Sequence, residues 1–253
     1  MRPLILAVLI ALGLAAPAFA EPTTITVRAL AKDAKFIGTS MGGVEVTLTD
    51  VKGKVLAKGR TEGGTGDTDR LMVKPRLRGE RLAGEGDAAF TATIDIDKPT
   101  LVLLKAEGPA RPAGGAVTVS SSAWILPGKS SVGDGWIIEF PGLTIDPTVR
   151  FEGQAAVLTA NVTLMCGCPL TPGGLWNSDD YEVEAVISAA PLGAPDRRVK
   201  LTYAGKPSTF SVTIEDAPGA FSVLLTAYDR KTGNTGVVDF APIRPPPTLK
   251  RDN

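Results

Sequence analysis

A period-two alternation of apolar and polar residues, broken at short intervals by glycine and proline, limits most strongly what this chain can become. Val44, Val46 and Leu48 alternate with Glu45, Thr47 and Thr49, and Phe90, Ala92, Ile94 and Ile96 alternate with Thr91, Thr93, Asp95 and Asp97. Successive side chains of a strand point to opposite faces, so each such segment offers one face to a core and the other to water. Thr24 to Leu30 opens the series, and Val117 and Val119, then Trp136, Ile138 and Phe140, continue it. Leu101 to Leu104 is apolar at every position, which predicts a strand buried on both faces. With 28 glycines and 20 prolines to mark turns, the chain is expected to be all-β.

Residues 1–20 carry the marks of a cleaved signal peptide. Arg2 supplies a positive start, Leu4 to Ala16 an apolar run, and Ala18-Phe19-Ala20 a small-x-small cleavage site. The apolar run falls short of the roughly 20 residues that span a bilayer, and no cysteine follows the cleavage site to carry a lipid. The expectation is a periplasmic or secreted protein that starts near Glu21, with no membrane span in the mature chain.

Loss of Arg2 from the 27 basic residues leaves 26 against 27 acidic ones. Nucleic-acid binding depends on a basic surface, so this balance argues against it. Histidine is absent from the chain. That removes the commonest general base, the commonest zinc or copper(II) ligand, and the base of Ser-His-Asp or Cys-His catalysis. An enzyme working through carboxylates or lysine stays open, but the leading expectation is a non-catalytic binding or accessory protein with a protein partner in the periplasm.

The length suits two domains in tandem, both expected to be β-sandwiches. The first is placed at residues 22–145, the second at 148–244, and 245–253 is a Pro-rich tail. Gly43 to Asp50 followed by Gly53 to Ala57 resembles the opening hairpin of transthyretin-like or carboxypeptidase-regulatory-like modules, which implies a sandwich and no activity. Seven strands are counted in the second domain, near 148–152, 155–166, 181–188, 197–204, 209–215, 220–229 and 236–243. Its ending, Leu224 to Asp229 through Gly233-Asn234-Thr235-Gly236, resembles the last hairpin of bacterial immunoglobulin-like domains. Between the strands of the first domain, Arg60 to Asp87 reads as a long polar insertion, more a solvated loop than a docking patch.

One stretch departs from this scaffold. Met165-Cys166-Gly167-Cys168-Pro169 holds the only two cysteines, followed closely by Trp176 and by Asp179-Asp180. Continuing the parity of Leu158, Ala160, Val162 and Leu164 puts Cys166 and Cys168 on the core side and Met165 on the other. Three readings stay open: a structural disulfide of an exported protein, a soft-metal site, and thiol-disulfide chemistry. For the metal, copper(I) fits best, with Cys166 and Cys168 as thiolate ligands and Met165 as a third ligand if the strand stops before it. A structural adaptor whose cysteines staple a loop is the alternative. The hairpin topology puts Asp229 and Asn234 at the pole of the cysteine loop, facing the junction between domains, so Trp176, Asp179, Asp180, Asp229 and Asn234 complete the candidate site.

Overall fold

The computed structural model describes residues 20–189, 196–217 and 219–244. The expected signal segment up to Phe19 and the tail 245–253 lie outside the described residues. Among those described, the chain is all-β, and its helical elements are single turns of three to five residues, the longest being Asp69–Val73.

The first seven strands form two sheets. In one, β1 (Glu21–Ala31) lies between β4 (Phe90–Ile96), antiparallel to it, and β7 (Trp136–Phe140), parallel to it. In the other, β2 (Glu45–Thr49) pairs with β3 (Val55–Arg60) and β5 (Thr100–Gly108), and β5 pairs in turn with β6 (Val117–Ile125). The alternation puts Ile25, Val27 and Ala29 of β1 and Val46 and Leu48 of β2 into one core between the sheets. The hairpin turn between β2 and β3 is held by Asp50, whose Oδ1 accepts from the backbone N–H of Lys52 and Lys54.

Two expectations change here. Leu101 to Leu104 does lie on an interior strand, but only Val102 and Leu104 are buried; Leu103 is 39% exposed. Among the described residues no further layer covers the outer face of this sheet at Leu103, which therefore meets solvent. The insertion after β3 is folded onto the sandwich rather than loose. Arg70 pairs with Asp87 at 2.8 Å and donates from Nε to the Leu82 carbonyl, while Phe36, Leu82 and Ala88 form a small second core. Within it, the longest run that is exposed throughout is Val73 to Arg81.

The remaining seven strands are β8 (Leu143–Glu152), β9 (Ala155–Leu164), β10 (Tyr181–Ala189), β11 (Arg197–Tyr203), β12 (Thr209–Ile214), β13 (Phe221–Asp229) and β14 (Thr235–Ile243). Their hydrogen-bonded order is β14-β13-β10-β11-β12-β9-β8. The β11–β12 pairing is reduced to Thr202↔Ser211 and Tyr203↔Phe210, so the sheet turns a corner there into two facing layers. Leu158, Val162, Val183, Ile187, Phe221, Val223 and Leu225 are all buried in the core between the layers. The layers nearly close at one end, where a Cβ on Gly236 of β14 would lie 2.7 Å from the carbonyl oxygen of Leu143 in β8.

β8 starts at Leu143, ahead of the strand expected near 148–152. It is an edge strand paired only with β9, and an edge tolerates Pro147, which has no N–H to give.

Candidate functional site

The cysteine segment is a tight turn at the end of β9, not a continuation of it. The strand stops at Leu164, the N–H of Gly167 bonds back to the Leu164 carbonyl at 2.8 Å, and Thr163 and Pro169 bridge the returning chain. Gly167 makes this turn with a φ of 78°, in the left-handed region that glycine enters without steric cost. The Cα atoms of Cys166 and Cys168 thus approach to 5.4 Å, closer than two-apart residues of a straight strand, and their sulfurs are joined in a disulfide.

Once the strand ends, parity no longer governs the side chains. Leu164, Met165 and Cys166 are all buried in succession, so Met165 does not point outward as alternation demanded. Its terminal methyl packs on Gly142, where a Cβ would come within 2.6 Å of it. The thioether that meets the cysteine turn from the first sandwich is instead Met41, whose sulfur lies 2.6 Å from where a Gly167 Cβ would stand. Parity within one strand gave no sign of Met41, because the contact joins segments far apart in the chain.

The other expected site residues surround this turn, and each has a definite structural partner. Trp176 is 9% exposed, and its Nε1 donates to the Asp33 carbonyl at 2.9 Å. Asn177 caps the short helical turn Ser178–Asp180 by accepting from the Asp179 N–H, and Asp180 pairs with Lys231 at 2.6 Å. Asp229 is 2% exposed; its carboxylate accepts from the N–H of Lys231 and the hydroxyl of Thr232. Asn234 accepts from the N–H of Gly142 at 3.1 Å and donates to the Lys32 carbonyl at 3.2 Å. Lys32 in turn reaches the Thr232 carbonyl with its ammonium at 3.0 Å.

These contacts form a seam between the sandwiches, in which the turn 31–36 and Met41 face the cysteine turn, Trp176 and the Asp229–Asn234 turn. Partial desolvation at the seam, with the charge of Asp229 next, raises the pKa of Asp33, whose surface stays partly exposed, above its ordinary 3.8. The same two causes push the Tyr181 hydroxyl well above its usual range. Trp176 and Asn234 therefore tie the two sides of the seam together, while Asp229 braces its own turn. Beside Gly167 a groove of about 560 Å³ does open, lined among others by Met41, Arg111, Asp146 and Asn161. Among the described residues, no three Cys, Asp or Glu side chains converge as metal ligands would. No described helix is long and apolar enough to cross a membrane.

No protein-family model matches this chain, and no curated protein sequence matches it. Among solved structures, similar ones are a DUF3823 family protein from Bacteroides uniformis (11% identity over 88% of this chain and 100% of that one, TM-score 0.28) and another from Bacteroides ovatus (9%, 88% and 98%, TM-score 0.29). The chicken interferon gamma receptor alpha chain is similar at 12% identity over 89% of this chain and 98% of that one, with a TM-score of 0.34. Likenesses this distant say nothing about the site, so its function is read from its own geometry.

Proposed function

We propose that this chain is an exported, non-catalytic adaptor whose two β-sandwiches are held in a fixed relation by the disulfide-stapled turn at their seam. One observation carries this reading: the bonded pair Cys166–Cys168 is 2% and 4% exposed and is covered by Met41 of the first sandwich. A redox centre needs its thiols within reach of a partner, and a resident ion needs open sulfur ligands; a buried disulfide offers neither. It does fix the turn that faces the first sandwich. The expectation of a protein partner fits a chain with wide, uncovered sheet faces and no histidine for catalysis. Export follows from the signal-like residues 1–20 and agrees with a compartment in which disulfides persist.

Thiol counting and solution scattering on protein produced through an exporting pathway test this together. The account expects no free thiol before reduction, and a single compact scattering profile that broadens in the Cys166→Ser/Cys168→Ser variant. Two free thiols in the exported protein, or identical scattering from both proteins, contradicts it.

A second reading has one observation in its favour, the Met41 thioether next to Gly167. With the disulfide opened by a thiol reductant, two thiolates and that thioether form a donor set suited to copper(I), with Met41 in the place that sequence parity reserved for Met165. Titration of the reduced protein with copper(I) against a competing chelator checks it. One ion held by the wild type, none by the double serine variant and a weaker hold in Met41→Leu support the metal reading. Equal retention by all three removes it.

A further inference from the structure

Each sheet edge of the described structure ends in a strand, and five of the six carry at least one charged residue: Lys58 and Arg60 on β3, Asp95 on β4, Glu139 on β7, Asp146 and Arg150 on β8, and Asp239 on β14. β6 is the exception. Its nine residues, Val-Thr-Val-Ser-Ser-Ser-Ala-Trp-Ile, include no charge and no proline, and its register against β5 runs from Thr100↔Ile125 to Gly108↔Val117 without a bulge. These are the devices by which natural sheets keep an edge from pairing with another chain. Beyond the β5 ladder, no backbone group from Val117 to Ile125 has a hydrogen-bond partner among the described residues. Ser120, Ser121 and Ser122 are exposed in succession, so the middle of the edge is open on both faces, and Trp124 beside them is 67% exposed.

The order of residues in β6 indicates what pairs with it. Read outward from Ser121, the strand is nearly the same in both directions: Ser120 and Ser122, Val119 and Ala123, Thr118 and Trp124, Val117 and Ile125. Two antiparallel copies centred on Ser121 therefore set Val117 against Ile125 and Val119 against Ala123 on the core-facing side. On the outer side they set Thr118 against Trp124 and Ser120 against Ser122. Apolar residues meet apolar residues, an aromatic ring meets a β-branched threonine, and no charge is forced against a like charge. Such an arrangement is two-fold symmetric and closes on itself, as stable homodimers do.

We infer that β6 is a homodimerisation edge, at which two copies of this chain join their β3-β2-β5-β6 sheets into one eight-stranded sheet through antiparallel β6 pairing about Ser121. This goes beyond the adaptor reading, because it names a second copy as the partner and a surface remote from the cysteine turn as the contact. The joined sheet presents two Trp124 side chains on one continuous outer face.

Light scattering coupled to size exclusion, from micromolar to millimolar protein, tests the edge through charge pairs that read the register. Ser120 of one copy faces Ser122 of the other, so Ser120→Lys/Ser122→Lys sets lysine against lysine twice, whereas Ser120→Lys/Ser122→Glu sets lysine against glutamate twice. The wild type is expected to dimerise, the double lysine variant to associate about tenfold more weakly or worse, and the lysine–glutamate variant to recover most of that loss. Both positions are exposed, and thermal unfolding of the three proteins at low concentration verifies that each is folded. Should a variant fail to fold, hydrogen exchange of the wild-type β6 amides at low and high concentration decides instead, with slower exchange expected at high concentration. A wild type that stays monomeric throughout, a lysine–glutamate variant no better than the double lysine one, or β6 exchange independent of concentration overturns the proposal.

Discussion

The indole N–H of Trp176 donates to the main-chain carbonyl of Asp33 at 2.9 Å, joining the loop after the cysteine turn to the first sandwich. Asp33 itself sits at a φ of 56°, in the left-handed region. A buried donor is costly to leave without an acceptor, so this bond, together with those between Lys32 and the Thr232–Asn234 turn, links the geometry of the two halves.

Trp176→Phe keeps most of the ring packing and deletes the donor. The loss expected is about 1 kcal/mol in urea unfolding, the net value of an ordinary buried hydrogen bond, with the remaining apolar contacts retained. Fluorescence of the other two tryptophans follows the transition.

Gly167→Ala adds a Cβ where two obstacles stand. The φ of 78° is unfavourable for alanine, and the Met41 sulfur lies 2.6 Å from the new atom. The expected destabilisation is about 1–3 kcal/mol. Adding Met41→Ala relieves only the contact and not the backbone conformation, so the double variant should stay less stable than Met41→Ala alone.

Asp33 gives a pH dependence of known sign. Its carboxyl pKa is raised in the folded protein by partial desolvation at the seam and by Asp229. The stability it contributes is therefore full below its ordinary value of 3.8 and is lost as pH rises through the raised folded value. Asp33→Asn removes that loss, and asparagine also tolerates the positive φ. The variant should be the more stable protein at pH 7, with the difference shrinking as pH falls toward 3.8, as melting temperatures across that range will show.

The alternating segments were legible because side-chain direction in a strand depends on parity alone. Val44, Val46 and Leu48 could be assigned to the core with no knowledge of their partners, and all three are buried. Leu103 shows where that reading fails: its own segment is uniformly apolar, and only the absence of a covering layer decides that it faces solvent. The cysteine turn fails for a different reason. Gly167 ends the strand, so Met165 turns inward, and the residue that covers the turn, Met41, lies in a segment whose sequence has no pattern pointing there. The insertion after β3 looked solvated because its packing depends on Arg70 meeting Asp87 and on Leu82 meeting Phe36, contacts that composition does not register.

The account rests on the claim that the Cys166–Cys168 bond holds the seam, and hydrogen exchange at the Trp176 indole N–H reports on that seam directly. In the oxidised wild type this proton is bonded to Asp33, and its exchange should require the seam to open. The prediction is exchange at least about tenfold faster in Cys166→Ser/Cys168→Ser, equivalent to about 1.4 kcal/mol lost from the closed seam. An indole exchange rate that does not change when the disulfide is removed would contradict the account.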